Sequence, residues 1–307
     1  MKISVVTTLY YSEKYLWEFY GRIKESVLPI TDAYEIIFVN DGSPDQSLQV
    51  ALAIQKVENN VTIIDLTRNF GHHKAIMTGL RFSTGDFVFL IDCDLEESPE
   101  LLIQFWNELA QSSDVDVVYG IQKTRKGDLS ERLFGSIFYR IFHLLSDIDY
   151  PQNTLTARLM SKRYVQKITD FQEKELDIWG LFVLTGFNQK GIPVDKWHKG
   201  TTTYTFRKKL RMAIDVLTSF SNKPLHLIFL TGVCMLLFSF LNICFIFYRK
   251  IFHKIDVEGW ASVLASIWFV SGLIVFTLGV ISIYLSKMLI EIKARPLTII
   301  KSVYQSK

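Results

Sequence analysis

Two aspartates one residue apart, Asp92 and Asp94, close the apolar run Phe87-Val-Phe-Leu-Ile and precede Glu96, Glu97, Pro99 and Glu100. Carboxylates at the end of a buried strand are costly unless something positive compensates them. Their hard oxygens suit Mg²⁺ or Mn²⁺, which take one or two carboxylates and complete their shell with substrate phosphates. Residues two apart share a face of an extended chain, so both acids can serve one ligand. The plain alternative is a pair of solvated acids ahead of a helix. A second group, Asn40-Asp41-Gly42-Ser43-Pro44-Asp45, also follows a β-branched run. Taken alone it reads as an ordinary turn with an N-cap at Ser43 or Asp45. His72 and His73 follow a third such run and read first as solvated helix-start residues, with a donor phosphate contact as the sharper alternative. Cys93, Cys234 and Cys244 have no zinc or disulfide spacing.

Alternating strand and helix patterns position these groups. Strands are expected at Ile3–Leu9, Glu35–Asn40, Val61–Leu66, Phe87–Ile91 and Val115–Gly120. Helices are expected at Tyr15–Val27, Gln46–Val57, His73–Phe82 and Pro99–Ala110. Strands apolar on both faces and separated by helices argue for a parallel doubly wound sheet. Such sheets bind ligands beyond the carboxyl ends of their strands. Those ends are Leu9–Tyr11, Asn40–Ser43, Thr67–Phe70 and Asp92–Asp94.

The rest of the chain reads differently. Of 307 residues 49% are hydrophobic and 21% charged, and the net charge is +3, too small to suggest nucleic acid. Pro224–Tyr248 and Gly259–Ser286 contain no Asp, Glu, Lys or Arg. Each is long enough to cross a bilayer, which excludes a freely soluble or disordered chain. Arg207, Lys208, Lys209, Arg211 and Lys223 precede the first run, and Lys287, Lys293, Arg295, Lys301 and Lys307 follow the second. Only Arg249, Lys250 and Lys254 lie between, so both ends are expected on the cytoplasmic side. Phe206, Leu210, Ile214, Leu217 and Phe220 repeat at helical spacing beside the basic cluster, as in a helix lying on the bilayer. Asp128-x-x-Glu131 opens a further apolar helix over 129–147, read equally well as core or interfacial. The N-terminus enters a strand without the apolar core of a signal peptide, so a reducing, cytosolic setting is expected for the first 220 or so residues.

Together the motifs resemble the GT-A family 2 glycosyltransferases, and more narrowly the bacterial polyprenyl-phosphate glycosyltransferases related to dolichol-phosphate mannose synthase. The resemblance rests on Asn40-Asp-Gly-Ser-Pro-Asp45, Arg68-Asn-Phe-Gly71 with Gly79, Asp92-Cys-Asp-Leu-Glu-Glu-Ser-Pro-Glu100, Val118-Tyr-Gly120, Arg158-Leu-Met and Ser219-Phe-Ser-Asn-Lys-Pro-Leu225, in that order. It implies an α/β catalytic domain, Rossmann-like with a mostly parallel sheet, over 1–205. A juxtamembrane amphipathic helix over 206–223 and a transmembrane hairpin, about 224–248 and 260–286 with a cytosolic tail, would follow. Asp41 would hold the nucleobase or ribose of a nucleotide-sugar donor, with Thr8, Tyr10 and Gly71 lining the pocket. Asp92 and Asp94 would hold Mg²⁺ or Mn²⁺ on the diphosphate, Asp94 most directly. Arg158 would lie near the acceptor phosphate, with Lys199, Tyr204, Arg207 and Lys208 along the same rim. The implied location is the bacterial cytoplasmic membrane, with polyprenyl phosphate and membrane lipid as partners and a separate flippase downstream. A homo-oligomer stays open.

Several positions depart from the family pattern. Thr8 replaces a proline, Tyr11-Ser12 an Asn-Glu pair and Asn40 an aspartate, while Glu96-Glu97-Ser98 stands for Gln-Asp-Pro. Thr156 and Ala157 replace an acid and an aromatic residue before Arg158. A side-chain base is not required, because a lipid phosphate with a second pKa near ~6 is already an anionic nucleophile. Glu173, Glu175 and Asp177 are the next candidates for contact with sugar hydroxyls. Two other readings stay open. A transferase acting directly on a polysaccharide is disfavoured by the absence of Gln-x-x-Arg-Trp. A non-catalytic membrane scaffold is disfavoured by the retained acids.

Overall fold

A computed structural model of the chain describes residues 1–112, 114–122, 153–174, 177–194, 223–253 and 259–305. Its first unit is built on β1 (Ile3–Leu9), β2 (Tyr34–Asn40), β3 (Val61–Leu66) and β4 (Phe87–Leu90), strands whose β-branched and aromatic residues are buried on both faces. Between them run α1 (Leu16–Val27), α2 (Ser47–Val57) and α3 (His72–Phe82), and α4 (Leu101–Gln111) follows β4. The chain continues through β5 (Val117–Gln122), β6 (Thr154–Ser161), α5 (Lys162–Thr169), α6 (Ile178–Leu184) and β7 (Gln189–Val194). Beyond two long helices it ends in β8 (Ile300–Gln305).

All eight strands form one sheet in the order β7-β5-β6-β4-β1-β2-β3-β8. Its centre, β4-β1-β2-β3, is parallel as expected. The flanks are mixed: β6 runs antiparallel to both β4 and β5, and β8 runs antiparallel to β3. The sequence reading of the first five strands and four helices agrees to within about two residues at each end. The helix expected from Pro99 begins at Leu101, because the chain first makes tight turns from Ser98 and Pro99 carbonyls.

Packing explains the spacing. Leu16, Phe19, Tyr20, Ile23 and Val27 line one stripe of α1 and are buried against the sheet. At Gly79 a Cβ would meet Val6 Cγ1 at 2.5 Å and Val39 Cγ2 at 2.9 Å, so glycine lets α3 press directly on β1 and β2. Across the helix layer Arg22 grips Glu100 with two bonds, Nε to Oε1 at 2.9 Å and an Nη2 bond to Oε2 at 2.7 Å. This guanidinium holds the Glu100 carboxyl down at about 2. A depressed carboxyl stabilises the fold above its unfolded pKa near 4.5 and loses that contribution as pH falls toward about 2. Both side chains are about a third or more exposed, so the pair contributes under about 1 kcal/mol after screening. Arg22→Gln should therefore lower the melting temperature by a few degrees at pH 7, and by progressively less below pH 4.5. Melting curves across pH check this.

The second unit contains α7 (Lys223–His253) and α8 (Trp260–Ile292). Within α8, Ser266–Ile292 has a mean hydropathy of 2.2 and none of its most apolar window is buried. Among the described residues it is the one helix long and apolar enough to cross a membrane, with a shorter apolar stretch at Leu225–Leu241 in α7. Residues from Ala294 onward group with the sheet rather than with these helices. The segment read from sequence as a tail thus supplies an edge strand. The expected helices over 129–147 and 206–223 lie outside the described residues.

Candidate active site at the carboxyl edge of the sheet

The parallel strands deliver their carboxyl ends to one edge, where the loops carry most of the residues singled out from sequence. After β2 the chain passes Asn40, Asp41 and Gly42. Asn40 Nδ2 donates to Asp65 Oδ1 at 2.7 Å, tying the ends of β2 and β3 together. Asp41 is 2% exposed, and its two carboxylate oxygens accept the backbone N–H groups of Phe70 at 2.7 Å and Gly71 at 3.0 Å. Burial pushes its carboxyl up, against the pull of those two N–H groups and of nearby His72 and Arg68. Asp41 therefore shapes the Arg68–Gly71 loop rather than presenting an open carboxylate. Gly42 permits the close approach: its φ is +60°, and a Cβ there would lie 2.4 Å from the Arg68 carbonyl carbon. Gly42→Ala should cost at least about 2 kcal/mol and weaken nucleotide binding, checked by thermal unfolding and nucleotide titration.

The β1 end bears the Tyr10 and Tyr11 rings, 49% and 61% exposed and edge-to-face at 4.8 Å. Tyr11 takes a left-handed φ of 56°, and its N–H is held by Ser43 Oγ at 2.8 Å. Thr8 Oγ1 lies 3.1 Å from His72 Nδ1, at the first turn of α3.

After β4, Cys93 turns inward and its Sγ donates to the Thr8 carbonyl at 3.2 Å. Burial pushes this thiol up to about 12, which keeps it neutral and unsuited to nucleophilic work. Asp92 and Asp94 flank it and are only partly buried. Asp92 Oδ1 lies 3.4 Å from His72 Nε2, and Asp92 Oδ2 accepts the Thr156 hydroxyl at 2.8 Å. Asp94 Oδ1 accepts the Glu96 N–H at 3.0 Å across a turn made at Leu95, whose φ is 62°. Among the described residues no three metal-ligating side chains cluster. The donor set nevertheless fits Mg²⁺ or Mn²⁺, because two hard carboxylates at a strand end suffice when diphosphate and water complete the shell.

β6 is held against this edge by Glu97, a residue the sequence reading passed over. Its 2%-exposed carboxylate accepts the Thr156 N–H at 3.0 Å and the Ala157 N–H at 2.6 Å. These N–H groups lie beyond the last β4 partner, Leu90 opposite Arg158, and beside a register shift in β5 between Tyr119 and Ile121. Neither neighbouring strand is in register to satisfy them there, and the carboxylate does.

Arg158, expected near the acceptor phosphate, lies on β6 opposite Leu90 of β4. It is 2% exposed, its guanidinium sits 3.4 Å from the Phe182 ring centre and 4.9 Å from that of Trp179, and Nε donates to the Thr156 carbonyl at 3.4 Å. Three rings, with Tyr119 at 5.9 Å, enclose it. His73 turns the other way, toward Asp177 at 3.7 Å. Lys199, Tyr204, Arg207 and Lys208 lie outside the described residues.

Residues 4–169 match the family model described as glycosyl transferase family 2. The chain belongs to this family. It is 47% identical over 306 residues to putative glycosyltransferases of Mycobacterium tuberculosis, covering all of the chain and 89% of the relative. It is 28% identical over 304 residues to the bactoprenol glucosyl transferase of Shigella phage SfX, covering 98% and 99%. A crystal structure of mannosyl-3-phosphoglycerate synthase from Rubrobacter xylanophilus aligns with a TM-score of 0.48 at 15% identity over 71% of this chain and 72% of that one. The family match makes the protein a family 2 glycosyltransferase, built on the α/β sheet described above.

Proposed function

We propose that this glycosyltransferase moves one sugar from a nucleotide-sugar to polyprenyl phosphate at the cytoplasmic face of a bacterial membrane. The observation that carries the reading is the placement of Asp92 and Asp94 at the end of β4, beside the donor-side loops of β1 and β2, in a chain with an exposed apolar helix. The phage relative's name, bactoprenol glucosyl transferase, supports an acceptor of this kind.

In this reading the Tyr10 ring and the Asp41-shaped loop receive the nucleoside, and Thr8 and Gly71 line the same pocket. Asp92 and Asp94 would hold Mg²⁺ or Mn²⁺, which would supply positive charge for the departing diphosphate. A phosphate oxygen of the lipid forms a bond to the anomeric carbon as the bond to the nucleoside diphosphate breaks, and the leaving group takes the electron pair. No proton need move, since the lipid phosphate is already anionic. One displacement inverts the anomeric centre. Arg158, Lys199, Arg207 and Lys208 supply cations toward the acceptor phosphate, and Tyr204 a hydroxyl. The product would pass to a separate flippase for modification of a surface polysaccharide or lipid.

β8 supports the membrane topology. It pairs with β3 inside the same sheet that contains β1, so both ends of the chain share one side of any bilayer. An even number of crossings between β7 and β8 agrees with this pairing. A hairpin of α7 and α8 fits this, and the excess of Lys and Arg outside the pair favours the cytoplasmic side for the sheet.

The test is release of UDP or GDP from nucleotide-sugars by the full chain in detergent. Release that depends on added polyprenyl phosphate supports the reading. Release that depends instead on added polysaccharide supports direct extension of a polymer and overturns it.

A further inference from the structure

Two departures from the family pattern meet in space. Thr8 stands where the pattern has proline and Thr156 where it has an acid, on different strands. Thr8 Oγ1 lies 3.1 Å from His72 Nδ1, His72 Nε2 lies 3.4 Å from Asp92 Oδ1, and Asp92 Oδ2 accepts the Thr156 hydroxyl at 2.8 Å. One line of polar groups therefore runs from the end of β1, through the first residue of α3, to the end of β4 and on to β6. Proline at position 8 would have no hydroxyl for the imidazole. An acid at 156 would set a second carboxylate against Asp92, repelling it where threonine donates a hydrogen bond.

We infer that His72 is a positioning residue that fixes Asp92 for cation binding, with the Thr8 and Thr156 hydroxyls holding the two ends of the line. The inference rests on reading Asp92 and Asp94 as the ion-holding pair. The imidazole thus bridges the two sides, with Nε2 facing the Asp92 carboxylate and Nδ1 facing the Thr8 hydroxyl. Asp92 is approached on Oδ1 by the His72 ring at 3.4 Å and accepts the Thr156 hydroxyl on Oδ2 at 2.8 Å, so its orientation is set before a cation arrives. Each carboxylate oxygen keeps a further lone pair for the ion. His73, one residue on, turns toward Asp177 and does not share this role.

The experiment titrates Mn²⁺ by electron paramagnetic resonance into the full chain in detergent, at a fixed concentration of whichever of UDP or GDP binds the wild type. Nucleotide affinity without metal is measured alongside. His72→Ala should raise the Mn²⁺ dissociation constant about 10–100-fold, the usual cost of losing a group that orients a ligand, and leave metal-free nucleotide affinity unchanged. His72→Gln, whose amide N–H can reach toward Asp92, should recover most of the loss, and Thr156→Val should fall between. Wild-type Mn²⁺ affinity in His72→Ala, with the affinity lost in Asp94→Ala, overturns the inference and leaves the ion-holding pair standing. Equal weakening of nucleotide with and without Mn²⁺ also overturns it, since it would place His72 on the donor itself. If the wild type shows no Mn²⁺-dependent nucleotide binding, the ion-holding pair falls and the inference with it.

Discussion

Asp94→Ala is expected to cut sugar transfer by about 10²–10³-fold while melting within about 1 kcal/mol of the wild type. Asp94 is only partly buried, and the bond to the Glu96 N–H spans a local turn, so its removal costs the fold little. Its loss would leave Asp92 as the one carboxylate of the pair to hold a divalent ion that would offset charge on the departing diphosphate. Asp94→Asn should behave much like the alanine variant, since an amide oxygen keeps the shape but not the charge. Extra Mn²⁺ should restore neither. A steady-state transfer assay beside a melting curve checks the prediction, and activity above a tenth of wild type would sink the assignment.

The second large effect concerns stability. Glu97→Ala should destabilise the sheet unit by about 3–5 kcal/mol. Two hydrogen bonds to a buried charge disappear, and the Thr156 and Ala157 N–H groups are left in a place that neither β4 nor β5 is in register to serve. Against a usual total of about 5–15 kcal/mol this is a large share. Glu97→Gln keeps one carbonyl oxygen but sets an NH₂ group against the other N–H, so about half the loss is expected. Thermal and urea unfolding of the full chain in detergent measure both. Because β6 carries Thr156, the partner of Asp92, the glutamine variant should also lose activity beyond what its stability predicts.

The parallel centre of the sheet was legible because its strands are apolar on both faces, a local pattern in the residues themselves. Asp92 and Asp94 were legible for the same reason, as acids that interrupt such a run. What escaped has a non-local cause. β8 is a strand because β3 offers an open edge to residues that return from beyond the apolar helices, and nothing in Ile300–Gln305 advertises that partner. Glu97 reads as one more acid in an acidic stretch until a register shift on another strand gives it two N–H groups to satisfy. That Asp41 accepts the Phe70 and Gly71 N–H groups depends on a loop after another strand. Arg158 is visible as a motif residue, but its enclosure by Phe182, Trp179 and Tyr119 is not, because those rings lie on two other elements. His72 and His73 are indistinguishable by type and are separated only by the direction each faces. Thr8 and Thr156 were visible as departures from a pattern, and their shared link to Asp92 exists only in three dimensions.

The most direct measurement supplies purified chain with polyprenyl phosphate, Mg²⁺ or Mn²⁺ and a panel of UDP-, GDP- and dTDP-sugars, and reads the lipid fraction by mass spectrometry. The expected result is polyprenyl phosphate heavier by one sugar residue from one donor, with inverted anomeric configuration, absent in Asp94→Ala. A folded chain that binds nucleotide yet leaves the lipid unmodified with every donor would contradict the account.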